Sequence, residues 1–167
     1  MATVPITDLA YELRMLLGAA KLCQLFEAYD VGNQVNFFKD SVYLHSRNLY
    51  NFFAANANND AKVTQFIPQT VHTFDLSLYN TWIGPLHDHA SHIKTSRHTP
   101  TNVINGVHLN EQVQNFANDI ERLWTDWINH TSNSALKTQL EDALNEARDQ
   151  SQDDYNSLKK RLDDNER

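Results

Sequence analysis

LNEQVQNFANDIERLWTDW, residues 109–127, places large apolar side chains at steps of three and four: Leu109, Val113, Phe116, Ile120, Leu123 and Trp127. A helix advances about 100° per residue, so these side chains stack into one stripe that Ala117 and Trp124 widen. Strand-type alternation is absent. The segment reads as an amphipathic helix, and its apolar stripe requires other elements to cover it.

Reading outward, the same period recurs upstream. Ile6, Leu9, Leu13, Leu16, Leu17, Ala20 and Cys23 predict a first helix from about Pro5 to Tyr29, with Thr7 or Asp8 as its cap. Gly32-Asn33 breaks the pattern. Val35, Phe38, Val42, His45, Leu49 and Phe52 predict a second helix from about Gln34 to Ala57, which ends in the turn-forming run Asn56 to Asp60. Residues 60–80 hold Val63, Phe66, Ile67, Val71, Phe74 and Leu76 without a sustained period and are interrupted by Pro68, so a long connection packed over the bundle is expected. A third helix begins at Leu78, or at Pro85 as a first-turn proline, and runs to Arg97 with Trp82, Leu86, His89 and Ile93 on its stripe. His98 to Asn110 reads as a loop in which Val103, Ile104 and Val107 form a short extended stretch.

Downstream, Thr131 to Ser134 marks a break. The chain then predicts a mostly charged helix from Ala135 to about Asp164, with a thin seam of Leu136, Leu140, Ala143, Ala147, Tyr155, Leu158 and Leu162. Such a stripe packs on one neighbour or pairs with another copy. The expected organisation is a helical bundle domain over residues 1–131 and a charged C-terminal helix over 132–167 that packs on the bundle or mediates assembly. The fold class is all-α: an antiparallel, up-and-down four-helix bundle with one extra helix.

Composition agrees and narrows function. The 167 residues suit one domain, and only four glycines and four prolines favour long helices over a turn-rich β fold. A net charge of −7 and scattered basic residues argue against bulk DNA or RNA coating, which requires a basic patch. The single cysteine, Cys23, excludes an internal disulfide and lies in an apolar pattern that predicts a buried, inert thiol. No apolar run approaches the roughly 20 residues of a membrane span, and the N-terminus lacks the pattern of a signal peptide, so a cytoplasmic location is expected.

Eight histidines form the main chemical signal. His87, His89, His92 and His98 cluster around the third helix, and His45 falls on the apolar stripe of the second, between Val42 and Leu49. With His89 at zero on the helical wheel, His92 falls near about −60°, Ile93 near about 40° and Arg97 near about 80°. Three readings stay open. The histidines are half-buried structural groups bonded to nearby acceptors and kept neutral by burial. Alternatively, His45, His89 and His92 ligate a metal between facing helices, although Asp40, Asp88 and Glu121 do not fall in register with them. In the third reading His45, Asn48, His92 and Arg97 form an acid–base centre in which Arg47 and Arg97 bind phosphate. The wheel puts Arg47 about 200° from His45, which argues against one pocket for both and favours Asn48 as the neighbour of His45. Arg47 is otherwise a surface group paired with Asp40 or Glu27. Trp82, Trp124, Trp127 and the pairs Phe37-Phe38 and Phe52-Phe53 are expected as core or interface fillers.

The stretch Tyr43-Leu44-His45-Ser46-Arg47-Asn48-Leu49-Tyr50-Asn51-Phe52-Phe53, together with Leu86 to Arg97, resembles a group of small bacterial helical proteins and, through them, the HEPN superfamily. The likeness covers about residues 8–130. It implies a HEPN-like bundle, self-association as a homodimer, and an RNA substrate cleaved without metal or other cofactor, as in toxin and phage-defence effectors. Arg47-Asn48 match the start of the superfamily's Arg–polar–His pattern. Phe52, Phe53 and Ala54 stand where its histidine follows, which implies a non-catalytic relative or a centre rebuilt from other residues. The function expected is thus an interaction or defence-associated helical protein with a polar His/Arg/Asn centre; a metal-independent ribonuclease and a metal-binding bundle are the alternatives.

Overall fold

A computed structural model describes residues 5–30, 32–55, 62–68, 70–91 and 103–165, apart from the side chains of 89–91 and 165. The described residues form five α-helices: α1 (Ile6–Ala28), α2 (Val35–Ala54), α3 (Ser77–Ser91), α4 (Val113–His130) and α5 (Ser134–Asn165). A two-stranded hairpin, β1 (Val103–Ile104) and β2 (Val107–His108), precedes α4. No helix among the described residues is long and apolar enough to cross a membrane.

Helix α1 starts at Ile6 with Pro5 as its N-cap residue, and neither Thr7 nor Asp8 caps it. The proline's extended backbone needs no N–H there, and Asp8 in the first turn complements the helix dipole. Helix α2 stops earlier than the expected Ala57: Ala55 turns into the left-handed region with φ +55°. Helix α3 carries Pro85 inside it, so its start at Ser77 agrees with the earlier of the two expected origins. Its expected end at Arg97 lies outside the described residues.

The extended stretch foreseen around Val103 and Val107 is a hairpin in which Val103 pairs with His108 and Ile104 with Val107. Asn105 and Gly106, its two loop residues, both have positive φ, as a tight primed turn requires. His108 then opens the 3-10 turn Leu109–Gln112 through a reciprocal cap: its Nδ1 accepts from the Asn110 N–H, and Glu111 Oε1 accepts from the His108 N–H.

Helix α2 is apolar on two sides. Val42, His45, Leu49 and Phe52 follow the expected stripe, while Tyr43, Ser46, Tyr50 and Phe53 are buried on a second. Tyr43 and Tyr50 meet Phe116 of α4 edge to face, Tyr50 stacks on Tyr79 of α3, and Phe53 packs against Phe74 and Trp127. Each buried phenol also finds an acceptor: Tyr43 at Asn110, Tyr50 at Asp119 and Tyr79 at Asn51. The connection before α3 lies over this core, burying Val63, Ile67 and Phe74 and bringing Phe66 against Phe52 and Trp127.

The charged helix α5 packs along α1 and α4. Leu140, Leu144, Ala147 and Ser151 are buried in the seam, and the Trp124 indole N–H donates to the Leu140 carbonyl at 3.0 Å. Polar pairs line its edges: Lys21 with Gln152, Arg14 with Glu146, Arg148 with Glu121 and Tyr29 with Asp163. Thus the many charges of α5 face outward while its small and leucine side chains close the side of α1.

Candidate functional centre

Helices α1 and α2 enclose a polar group within an otherwise apolar boundary. Glu12 of α1 receives two hydrogen bonds on the same oxygen, from His45 Nδ1 at 2.7 Å and from Asn48 Nδ2 at 3.1 Å. His45 and Asn48 are three residues apart on α2, so they project one above the other toward α1. An ionised carboxylate only accepts, so the proton between Glu12 and His45 resides on Nδ1 and the other ring nitrogen is left for a further role. Tyr11 lies edge-on to the His45 ring at 6.1 Å between centroids. The His45 side chain is only 9% exposed and that of Glu12 24%.

Burial by itself would raise the Glu12 carboxyl. The hydrogen bonds from His45 and Asn48, with the electrostatic pull of His45 and Arg47, outweigh it and hold Glu12 below its ordinary value. Arg47 joins the same group, its Nη2 donating to Asn48 Oδ1 at 3.3 Å. Although the wheel sets His45 and Arg47 about 200° apart on α2, both act electrostatically on Glu12. Glu27, one of the partners expected for Arg47, is paired with Lys39 at 2.7 Å. Glu12, Arg47 and Asn48 open onto a cleft of about 400 Å³ whose walls also include Leu9, Asn51 and Phe52.

The structure therefore brings together His45, Asn48 and Arg47 of the expected site residues. His92 and Arg97 lie outside the described residues, as does the side chain of His89, so neither the full acid–base set nor the metal set His45, His89 and His92 is described. Phe37, grouped with Phe38 as a core or interface filler, stands 74% exposed, whereas Phe38 packs on Phe26.

Glu12 is the residue the sequence reading passed over. A signal was present. Placed on a wheel with Leu9 at zero, Glu12 falls near about −60°, between Ala19 and Cys23, which is inside the apolar arc of α1. A carboxylate there requires a partner from a facing helix. A second missed group joins His72, in the connection before α3, to Asp126 and His130 near the end of α4. No family model matches the chain, and no curated protein and no solved structure matches it.

Proposed function

We propose that the protein is a helical interaction protein, an up-and-down four-helix bundle of the HEPN-like kind with one extra helix, and that it pairs with a second copy of itself. The observation that carries this reading is the outer side of α2. Phe37 and Leu44 are 74% and 38% exposed and lie seven residues apart, which stacks them along one line, and Tyr11 of α1 is 47% exposed beside His45. Large apolar side chains aligned at a helix boundary and rimmed by polar groups suit a self-complementary twofold contact. In this reading the Glu12–His45–Asn48 centre fixes α1 against α2 and so sets the shape of that face.

Sedimentation of the purified chain across the micromolar range tests it. The expected result is a dimer that Phe37→Asp converts to a monomer with an unchanged helical circular dichroism spectrum. A monomeric wild type, or a Phe37→Asp chain that still dimerises, overturns the reading.

One observation favours a second function, the metal-independent ribonuclease. A histidine whose tautomer is fixed by Glu12, with that carboxylate opening onto a cleft that Arg47 and Asn48 also line, favours an acid–base centre for a phosphodiester. His45 would act as the base, Asn48 as its neighbour, Arg47 and Arg97 as phosphate contacts, and His92 as the acid. Labelled cellular RNA incubated with the protein in EDTA would then be cleaved, and His92→Ala would abolish cleavage without lowering the melting temperature. An intact RNA pool rules this second function out.

A further inference from the structure

At the C-terminal end of α4, the Asp126 carboxylate contacts two imidazoles, one through each oxygen. His72 Nε2 is 2.6 Å from Asp126 Oδ2, and His130 Nδ1 is 3.1 Å from Asp126 Oδ1. Asp126 and His130 are four residues apart on one helix face, while His72 arrives from the segment before α3. One ligating atom from each of the three lies within 4.8 Å of the others. We propose that His72, Asp126 and His130 bind one divalent transition-metal ion of the zinc class, which clamps the segment before α3 to the end of α4 and leaves a fourth coordination position to solvent. This inference is independent of the dimer reading.

Donor chemistry selects the ion. Two imidazoles and one carboxylate suit zinc, cobalt, nickel or copper, whereas magnesium and calcium take sets of oxygens. Spacing also fits: donors about 2.0–2.2 Å from a tetrahedral zinc lie roughly 3.3 Å apart, close to the two nitrogen–oxygen separations already present. One movement is required. The two rings stack with centroids 3.7 Å apart and planes 14° from parallel, and parallel rings cannot aim both lone pairs at one ion. His130 supplies the rotation. It is the last residue of α4, its side chain is 41% exposed, and it gives up a hydrogen bond to the Asp126 carbonyl and the stack on His72. His72 is steadied by the edge-on Phe74 ring at 4.7 Å, so the ion closes onto a carboxylate and an imidazole that are already in place.

The test treats the purified chain with a chelator, removes it, and titrates Zn2+ while following heat of binding and thermal unfolding. One Zn2+ per chain is expected, with the melting temperature raised by about 5–10 °C at a hundredfold excess over Kd and restored by EDTA. Co2+ should give the visible bands of a tetrahedral site, and Mg2+ should do nothing. His130→Ala, which alters an exposed helix end, should weaken Zn2+ binding by about 100-fold or more, since loss of outer contacts alone costs 10–100-fold. No Zn2+ uptake, or uptake that His130→Ala leaves unchanged, overturns the proposal. Should His72→Ala fail to fold, the His130→Ala result decides.

Discussion

Glu12 Oε2 and His45 Nδ1, 2.7 Å apart, join α1 to α2 through a carboxyl whose pKa the fold holds below its ordinary value. A carboxyl with a depressed folded pKa contributes stability that is fully present above its unfolded value, near 4.5, and is lost as pH falls through the folded value. Glu12→Gln should therefore flatten the loss of stability below about pH 4.5. At neutral pH the same change should cost about 1–3 kcal/mol, because His45 and Asn48 lose a charged acceptor. Urea unfolding of both chains at a series of pH values checks both effects; parallel acid limbs would contradict them.

Tyr50 is fully buried and donates to Asp119 Oδ2 at 2.8 Å, while Arg122 occupies the other oxygen of Asp119. Burial, then the nearby Asp119 charge, pushes the Tyr50 phenol well up, so it stays a donor at every working pH. Tyr50→Phe keeps the stack on Tyr79 but removes the bond. The expected cost is about 1–2 kcal/mol, moderated by Arg122, and equilibrium denaturation measures it.

Cys23 is 1% exposed, and burial, the leading influence, pushes its thiol up to about 12. Only the thiolate reacts, so a thiol reagent near pH 8 should label the native chain orders of magnitude more slowly than the chain in denaturant. Rapid native labelling would mean that α1 separates from its neighbours.

Ala55 ends α2 with φ +55°, a conformation in which a Cβ is unfavourable and glycine is not. Ala55→Gly should raise stability by about 0.5–1 kcal/mol, read as a higher urea midpoint with an unchanged slope. A lower midpoint would show that the helix end tolerates the methyl group without strain.

Helix positions were largely legible, because apolar spacing is a local property. The stripe from Leu109 to Trp127 is buried as read, with the 3-10 turn Leu109–Gln112 leading into α4. Val103, Ile104 and Val107 pair across Asn105-Gly106, whose tolerance of positive φ is written in the residues themselves. The thin seam of α5 also proved real in Leu140, Ala143 and Ala147. Where local signals competed, the reading was less sharp: Pro85 was equally compatible with a start or an interior position, and packing of Tyr79 and Trp82 on α2 and α4 draws the helix back to Ser77.

By itself, the sequence determined which segments are helical and which faces are apolar, since both depend on residues within a few turns of one another. Tertiary structure alone decided which faces meet. Period could place His45 on a buried stripe of α2, but Glu12 lies thirty-three residues away on another helix. Asp126 and His72 are fifty-four residues apart, one in a regular helix and the other in a segment with no period to read. A polar cluster built across elements can show as a polar residue inside an apolar stripe, but period does not say which residue meets it, because that is set by the packing of separate surfaces rather than by the turn of one backbone.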